Sequence, residues 1–352
     1  MGLIKGRFTC LGRLARRWPV WLLAWTLSLG TSSAPAAASA ESLPDSGAME
    51  QFIDRMAGQH DFDRGELRAM FRQAQFQPGI LKAMDRPAEA KPWDVYRPLF
   101  VNPGRIDGGV EFWHDNSVVL VRAREQYGVP EAIVTAIIGV ETRYGRNTGS
   151  YRVIDALTTL AFGYPPRADF FRDELENYLL LSREEGMDPL AIKGSYAGAI
   201  GIGQFMPSSY RRYGVDFDGK GRRDLYHDVD DAIGSVANYL MAYGWQPGQP
   251  VAVPARIRGE GYESLLQSGF GTWRTVAQMR ELGVTPQEEA ADDQQVVLLR
   301  LERSGGAEYW LGFKNFYVLT RYNRSVYYAM AVYQLSREIK AQRAAAQSKV
   351  EP

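Results

Sequence analysis

From about residue 109 the chain repeats apolar residues at spacings of three and four, the pattern of helices that bury one face. "GVEFWHDNSVVLVRAREQYG", "SYRVIDALTTLAF", "RADFFRDELENYLLLSREEG", "DDAIGSVANYLMAYGW" and a closing "RSVYYAMAVYQLSREIKAQR" all carry it. Before that point, "SGAMEQFIDRMAGQ" and "DRGELRAMFRQA" predict two short amphipathic helices. "KAMDRPAEAKPWDVYRPLFVNP", broken by prolines, predicts a linker or extended arm. "KGSYAGAIGIGQFMPSSYRRYG" predicts a glycine-rich turn entering a short helix that Pro207 limits or kinks. Near the end, "QQVVLLRLE" and "EYWLGFKNFYVLT" predict strands from their β-branched and aromatic content. The expected class is mainly α with a minor β element.

One segment breaks its own pattern. In "AIIGVETRYG" an apolar run leads directly into Glu141, on a helix expected to start near Pro130 and end at Gly145. Ile137 and Ile138 lie one turn before the acid, and Tyr144 and Gly145 one turn after. Burial among such neighbours raises a carboxyl pKa, which suits a general acid. The alternative is a structural glutamate that pairs with Arg143 or Arg146, or caps a turn.

The first forty residues are of another kind. Lys5, Arg7, Arg13, Arg16 and Arg17 precede an apolar stretch of about a dozen residues, and Ala38-Ser39-Ala40 closes it. This predicts a cleaved signal peptide over residues 1–40, too short for a comfortable membrane span. All 41 acids follow residue 40, so the exported part has 36 basic residues against 41 acidic ones. That balance argues against nucleic acid. The single cysteine, Cys10, lies before the apolar stretch, so no thiol, disulfide or lipid-attachment cysteine is expected after cleavage. The expectation is an exported protein without a lasting membrane anchor.

Metal chemistry has one candidate. In "DFDGKGRRDLYHDVDD", Asp216, Asp218 and Asp224 take positions one, three and nine of a calcium loop, and Gly221 takes the turn position. Lys220 stands where a ligand is expected, and His227 where the bidentate acid belongs, so the loop can equally be a solvated one with an internal Asp–Lys pair. His60, His114 and His227 have no zinc spacing.

"GVETRYG", "GSYAGAIGIGQFMPSSYRRYGVDF", "DAIGSVANYL", "YWLGFKNFYVLTRYN" and "YYAMAV", with "KPWDVYRPLF" and "RVIDALTTLAF", together resemble the B-type lytic murein transglycosylases, from about residue 48 to residue 338. The resemblance implies a lysozyme-like catalytic core with an α domain and a small β-containing domain. Expected boundaries are an N-terminal α region over 41–95, the core over 96–245, a small α+β region over 246–322, a closing helix over 323–340 and a disordered tail over 341–352. It implies cleavage of the β-1,4 bond between N-acetylmuramic acid and N-acetylglucosamine with a 1,6-anhydro product. The family's single acid falls on Glu141, and its saccharide-groove residues fall on Tyr96, Ser195, Gln204, Tyr239, Tyr322, Asn323 and Tyr328. No cofactor is required, calcium stays open, and the implied partners are glycan strands and cell-wall synthesis proteins. A hydrolytic muramidase on the same core and a non-catalytic glycan-binding scaffold remain as alternatives.

Overall fold

The computed structural model describes residues 46–84, 91–266 and 269–348. The expected signal peptide and Cys10 lie outside the described residues.

The helix Glu131–Thr142 is buried at every position from Ala132 to Thr142. A helix that is apolar all round must be enclosed by others. Here Pro103–Asp115, Ser117–Tyr127, Val229–Ala242 and the long closing helix Val326–Gln347 pack around it. A second pair, Val153–Gly163 and Ala168–Glu184, packs side by side, with Pro78–Met84 across the first of them. The N-terminal helix Ser46–His60 joins this pair through Glu176, which meets His60 at 3.0 Å and Arg55 at 3.1 Å, and Arg64–Phe71 packs on that first helix.

The proline-broken arm holds more order than its sequence predicts. Trp93–Phe100 is helical, because Trp93, Tyr96 and Phe100 fall on one face and are all buried. Pro98 sits in its last turn, where it removes little of the helical bonding. Pro207 neither ends nor kinks the next short helix. It opens Pro207–Tyr213, where its missing N–H costs nothing.

The β element is an antiparallel five-stranded sheet in the order Arg274–Thr275, Gln295–Arg303, Gly306–Gly312, Ala252–Ile257, Val284–Pro286. Both faces are covered. Val297, Leu299 and Leu301 face the main core, whereas Val296 and Leu298 join Val253, Val276, Met279 and Leu311 in a smaller one. That explains the unbroken apolar run in "VVLL". The expected strand "EYWLGFKNFYVLT" is corrected: it ends at Gly312, and Lys314–Tyr322 is a helix. Phe316 and Leu319, spaced by three, bury against neighbouring helices, and that packing outweighs the β-rich composition. The closing helix runs on to Gln347, into the expected disordered tail, since Ala, Gln and Arg are strong helix formers.

Candidate active site

Glu141 lies one residue from the end of its helix and is 6% exposed. The Tyr328 hydroxyl donates to its Oε1 at 2.6 Å. Burial pushes its carboxyl up to about 7, against smaller opposing effects of Tyr328 and then Arg105. Arg146 pairs with Glu111 instead of with Glu141, whose hydrogen-bond partner is Tyr328.

The turn after the acid is held by packing. The helix ends at Thr142, three residues before the expected Gly145. Arg143 and Tyr144 both adopt left-handed backbone, at φ 52° and 63°. Such conformations are costly for side-chain-bearing residues and persist only where packing enforces them. The Tyr144 ring enforces them by folding back onto Gly108, Gly109 and Gly139. A methyl group at Gly139 would lie 2.5 Å from the tyrosine oxygen. Tyr144 also donates to the Arg105 carbonyl at 2.5 Å. Thr142 then ties the helix end to the glycine-rich turn, donating to the Ile202 carbonyl at 2.7 Å.

That turn carries two of the expected groove residues. Ser195 accepts from the backbone of Ala199 at 3.0 Å and Ala197 at 3.3 Å, closing the loop. Gln204, at φ 52°, donates to the carbonyls of Gly201 and Thr148 at 2.9 and 3.0 Å. Its Oε1 is buried without a hydrogen-bond partner. The glycines serve packing as well. A methyl group would meet Leu157 at Gly198 and the Leu225 carbonyl at Gly201, both within 2.4 Å.

Tyrosines line the side of the site. Tyr322 donates to the Gly203 carbonyl at 2.5 Å, and Tyr239 to the Arg321 carbonyl at 2.6 Å. Their rings lie 4.9 Å apart, with Phe205 edge-on to both at 5.8 Å. Burial drives the Tyr322 and Tyr328 hydroxyls well above their ordinary range, and the charge of Glu141 adds to it. Glu141, Gln204, Tyr239, Tyr322 and Tyr328 are thus brought together. Asn323 is adjacent in the chain, its side chain accepting from the Ser325 backbone at 3.3 Å. Tyr96 is 1% exposed, packed among Trp93, Phe100 and Tyr327, and close enough to act electrostatically on Tyr328.

The family described as "Transglycosylase SLT domain" matches residues 45–337. The chain belongs to the lytic murein transglycosylases. It is 47% identical over 300 residues to membrane-bound lytic murein transglycosylase B of Escherichia coli strain K12, covering 82% of each. Soluble lytic transglycosylase SltB1 of Pseudomonas aeruginosa is 49% identical with a TM-score of 0.79, over 84% of this chain and 99% of that one. Escherichia coli Slt35, in a structure described as a complex with calcium, is 47% identical with a TM-score of 0.78, over 85% of this chain and 94% of that one.

This transglycosylase treats its acidic loop differently from the expected ligand set. The carboxylates that converge are Asp216, Asp218 and Asp231. Asp224 instead pairs with Arg222 at 2.9 Å and accepts from the backbone of Tyr226 and His227. Asp216 is taken up by the backbone N–H groups of Gly219, Lys220 and Gly221. The Lys220 ammonium sits between Asp218 at 2.5 Å and Asp228 at 2.8 Å. Lys220 pairs with Asp218, one of the three converging carboxylates, and with Asp228 outside that set, so its ammonium competes with a divalent cation for Asp218. The family chemistry requires no cofactor.

Sequence reasoning missed Arg105, Thr142 and Phe205, and it placed Tyr144 beside the acid without its role in the turn. Among the described residues no helix is long and apolar enough to cross a membrane.

Proposed function

We propose that Glu141 is the single acid and base of a reaction that cuts the β-1,4 bond between N-acetylmuramic acid and N-acetylglucosamine, leaving a 1,6-anhydro end. The observation that carries this is one buried carboxyl, raised to about 7, bonded to Tyr328 and set beside the buried Tyr322. Only Tyr328 and Arg105 oppose that rise, and no second carboxylate among the described residues acts on Glu141. Most retaining and inverting glycosidases that hydrolyse use two carboxyl groups.

The protonated Glu141 donates to the glycosidic oxygen as the C1–O bond breaks. The substrate's own N-acetyl oxygen stabilises the cationic carbon. Glu141, now a carboxylate held by Tyr328, takes the proton of the C6 hydroxyl, and that oxygen closes on C1. The acid ends protonated and water is not consumed. Gln204 Oε1 offers an acceptor to an amide or hydroxyl of the sugar, and Tyr239 and Tyr322 offer stacking faces. Ser195, Asn323 and Tyr96 shape the groove from its turn, its tyrosine helix and its buried wall. The working site is the periplasm, on glycan strands and among cell-wall synthesis proteins.

Mass spectrometry of fragments released from purified peptidoglycan tests this, with Glu141→Gln as control. Anhydro fragments that vanish in the variant are expected. Fragments heavier by one water would make the enzyme a hydrolase. Full activity in the variant would remove Glu141 from the mechanism.

A further inference from the structure

Arg105 is only 8% exposed, and among the described residues no carboxylate lies within ion-pair distance of it. Its Nη1 donates to the carbonyl of Gly139 and, at 3.3 Å, to that of Val140, the two residues before Glu141. Its Nε is buried without a partner. Its guanidinium otherwise rests over the Phe100 ring at 5.2 Å. A buried cation with no counter-ion is costly, and a merely structural cap on two carbonyls does not need a full charge.

We propose that Arg105 is a positioning residue: it fixes the turn that carries Glu141, and it supplies the counter-charge that the Glu141 carboxylate meets once its proton has left. This rests on Glu141 being the catalytic acid. Below about pH 7 the resting Glu141 is neutral and Arg105 stands alone. When the proton passes to the glycosidic oxygen, a carboxylate forms in a closed site. The arginine then lowers the energy of that charged state, and so of the transition state leading to it. Desolvation brings Arg105 down to about 10, which still leaves it cationic at neutral pH.

Other groups face Glu141 as well. Tyr328 comes from the closing helix and Tyr322 from the helix before it, both neutral at working pH. Arg143 and Tyr144, on the turn after the acid, act electrostatically on Arg105. Among the groups that move Glu141 itself, Arg105 is the one positive charge.

The test is a titration of the arginine Nε–Hε correlations in the ¹⁵N-labelled mature protein, with the Arg105 signal assigned by its loss in Arg105→Lys. The signal should move through one transition near pH 7 and stay fixed in Glu141→Gln. A signal flat across that range in the wild type, or titrating unchanged in Glu141→Gln, would overturn the proposal. The rate profile gives a second readout. Arg105→Gln keeps a hydrogen-bond donor and loses the charge, so its alkaline limb should move to higher pH and its maximal rate fall about tenfold or more. Arg105→Lys should keep the limb where it is. A limb unmoved in Arg105→Gln would reduce Arg105 to a structural cap. Activity persisting in Glu141→Gln would instead refute the underlying assignment of the acid.

Discussion

Replacing the acid by its neutral isostere should stabilise the protein, and by an amount that depends on pH. Glu141 titrates near 4.5 in an unfolded chain and at about 7 when folded. Between those values the folded state holds a proton that the unfolded state has released, so stability falls as pH rises. The loss is complete above about 7 and absent below about 4.5. A shift of this size corresponds to about 3 kcal/mol. Glutamine accepts from Tyr328 as the protonated acid does but never ionises, so Glu141→Gln escapes the loss. Wild type and variant should unfold at nearly the same temperature in mild acid. They should separate through neutrality to about 6 °C, taking about 2 °C per kcal/mol for a chain of this size. Thermal unfolding across pH, followed by circular dichroism, measures the gap. A gap that stays constant with pH would show that Glu141 does not titrate abnormally, and the general-acid argument would lose its physical basis.

Turnover should fall about tenfold per pH unit above about 7, because the ionised acid has no proton to give; a rate that keeps rising past that point would contradict the assignment. Gly139→Ala should cost about 1–3 kcal/mol, read as a lower urea midpoint, since the new methyl group meets the buried Tyr144 ring. An unchanged midpoint would mean that the ring has room to move. Tyr322→Phe and Asn323→Ala should reduce turnover more than thermal stability, and equal loss of both would assign these residues to the fold. Calcium or a chelator should leave the melting temperature unmoved, because Lys220 already bridges Asp218 and Asp228. A saturable rise with calcium would show that the lysine yields to the ion.

The acid was legible in the sequence because its helix is apolar on every side, so one carboxylate in it had to be buried. Its partner was not, since Tyr328 meets it across 187 positions of chain. Arg105 gave no signal at all: a single arginine between prolines and glycines is ordinary in sequence, and only burial makes it unusual. The acidic loop was legible as a cluster, but its membership was not. Asp228 caps the helix Val229–Ala242, and Asp231 in its first turn points back to accept from Phe217, Asp218 and Asp224. That places Asp231, not Asp224, among the converging carboxylates. The strand expected after Gly312 failed for a similar reason, because composition cannot tell a half-buried helix from a buried strand over a dozen residues.

The parts of the site are held in series, and that shapes how it can fail. The Ile202 N–H donates to the Leu225 carbonyl at 2.9 Å, and the Ile202 carbonyl accepts from Thr142 at 2.7 Å. Thr142 follows Glu141 directly. Leu225 belongs to the loop that Lys220 and Asp231 hold shut, and its own N–H is fixed by the Tyr210 hydroxyl at 2.8 Å. One residue, Ile202, therefore joins the acid's helix, the glycine-rich turn and the ion-paired loop. The same geometry predicts that Thr142→Val, which removes the hydroxyl but keeps the volume, should lower turnover with little change in substrate affinity. Matched losses in turnover and thermal stability would show that the link serves only the fold.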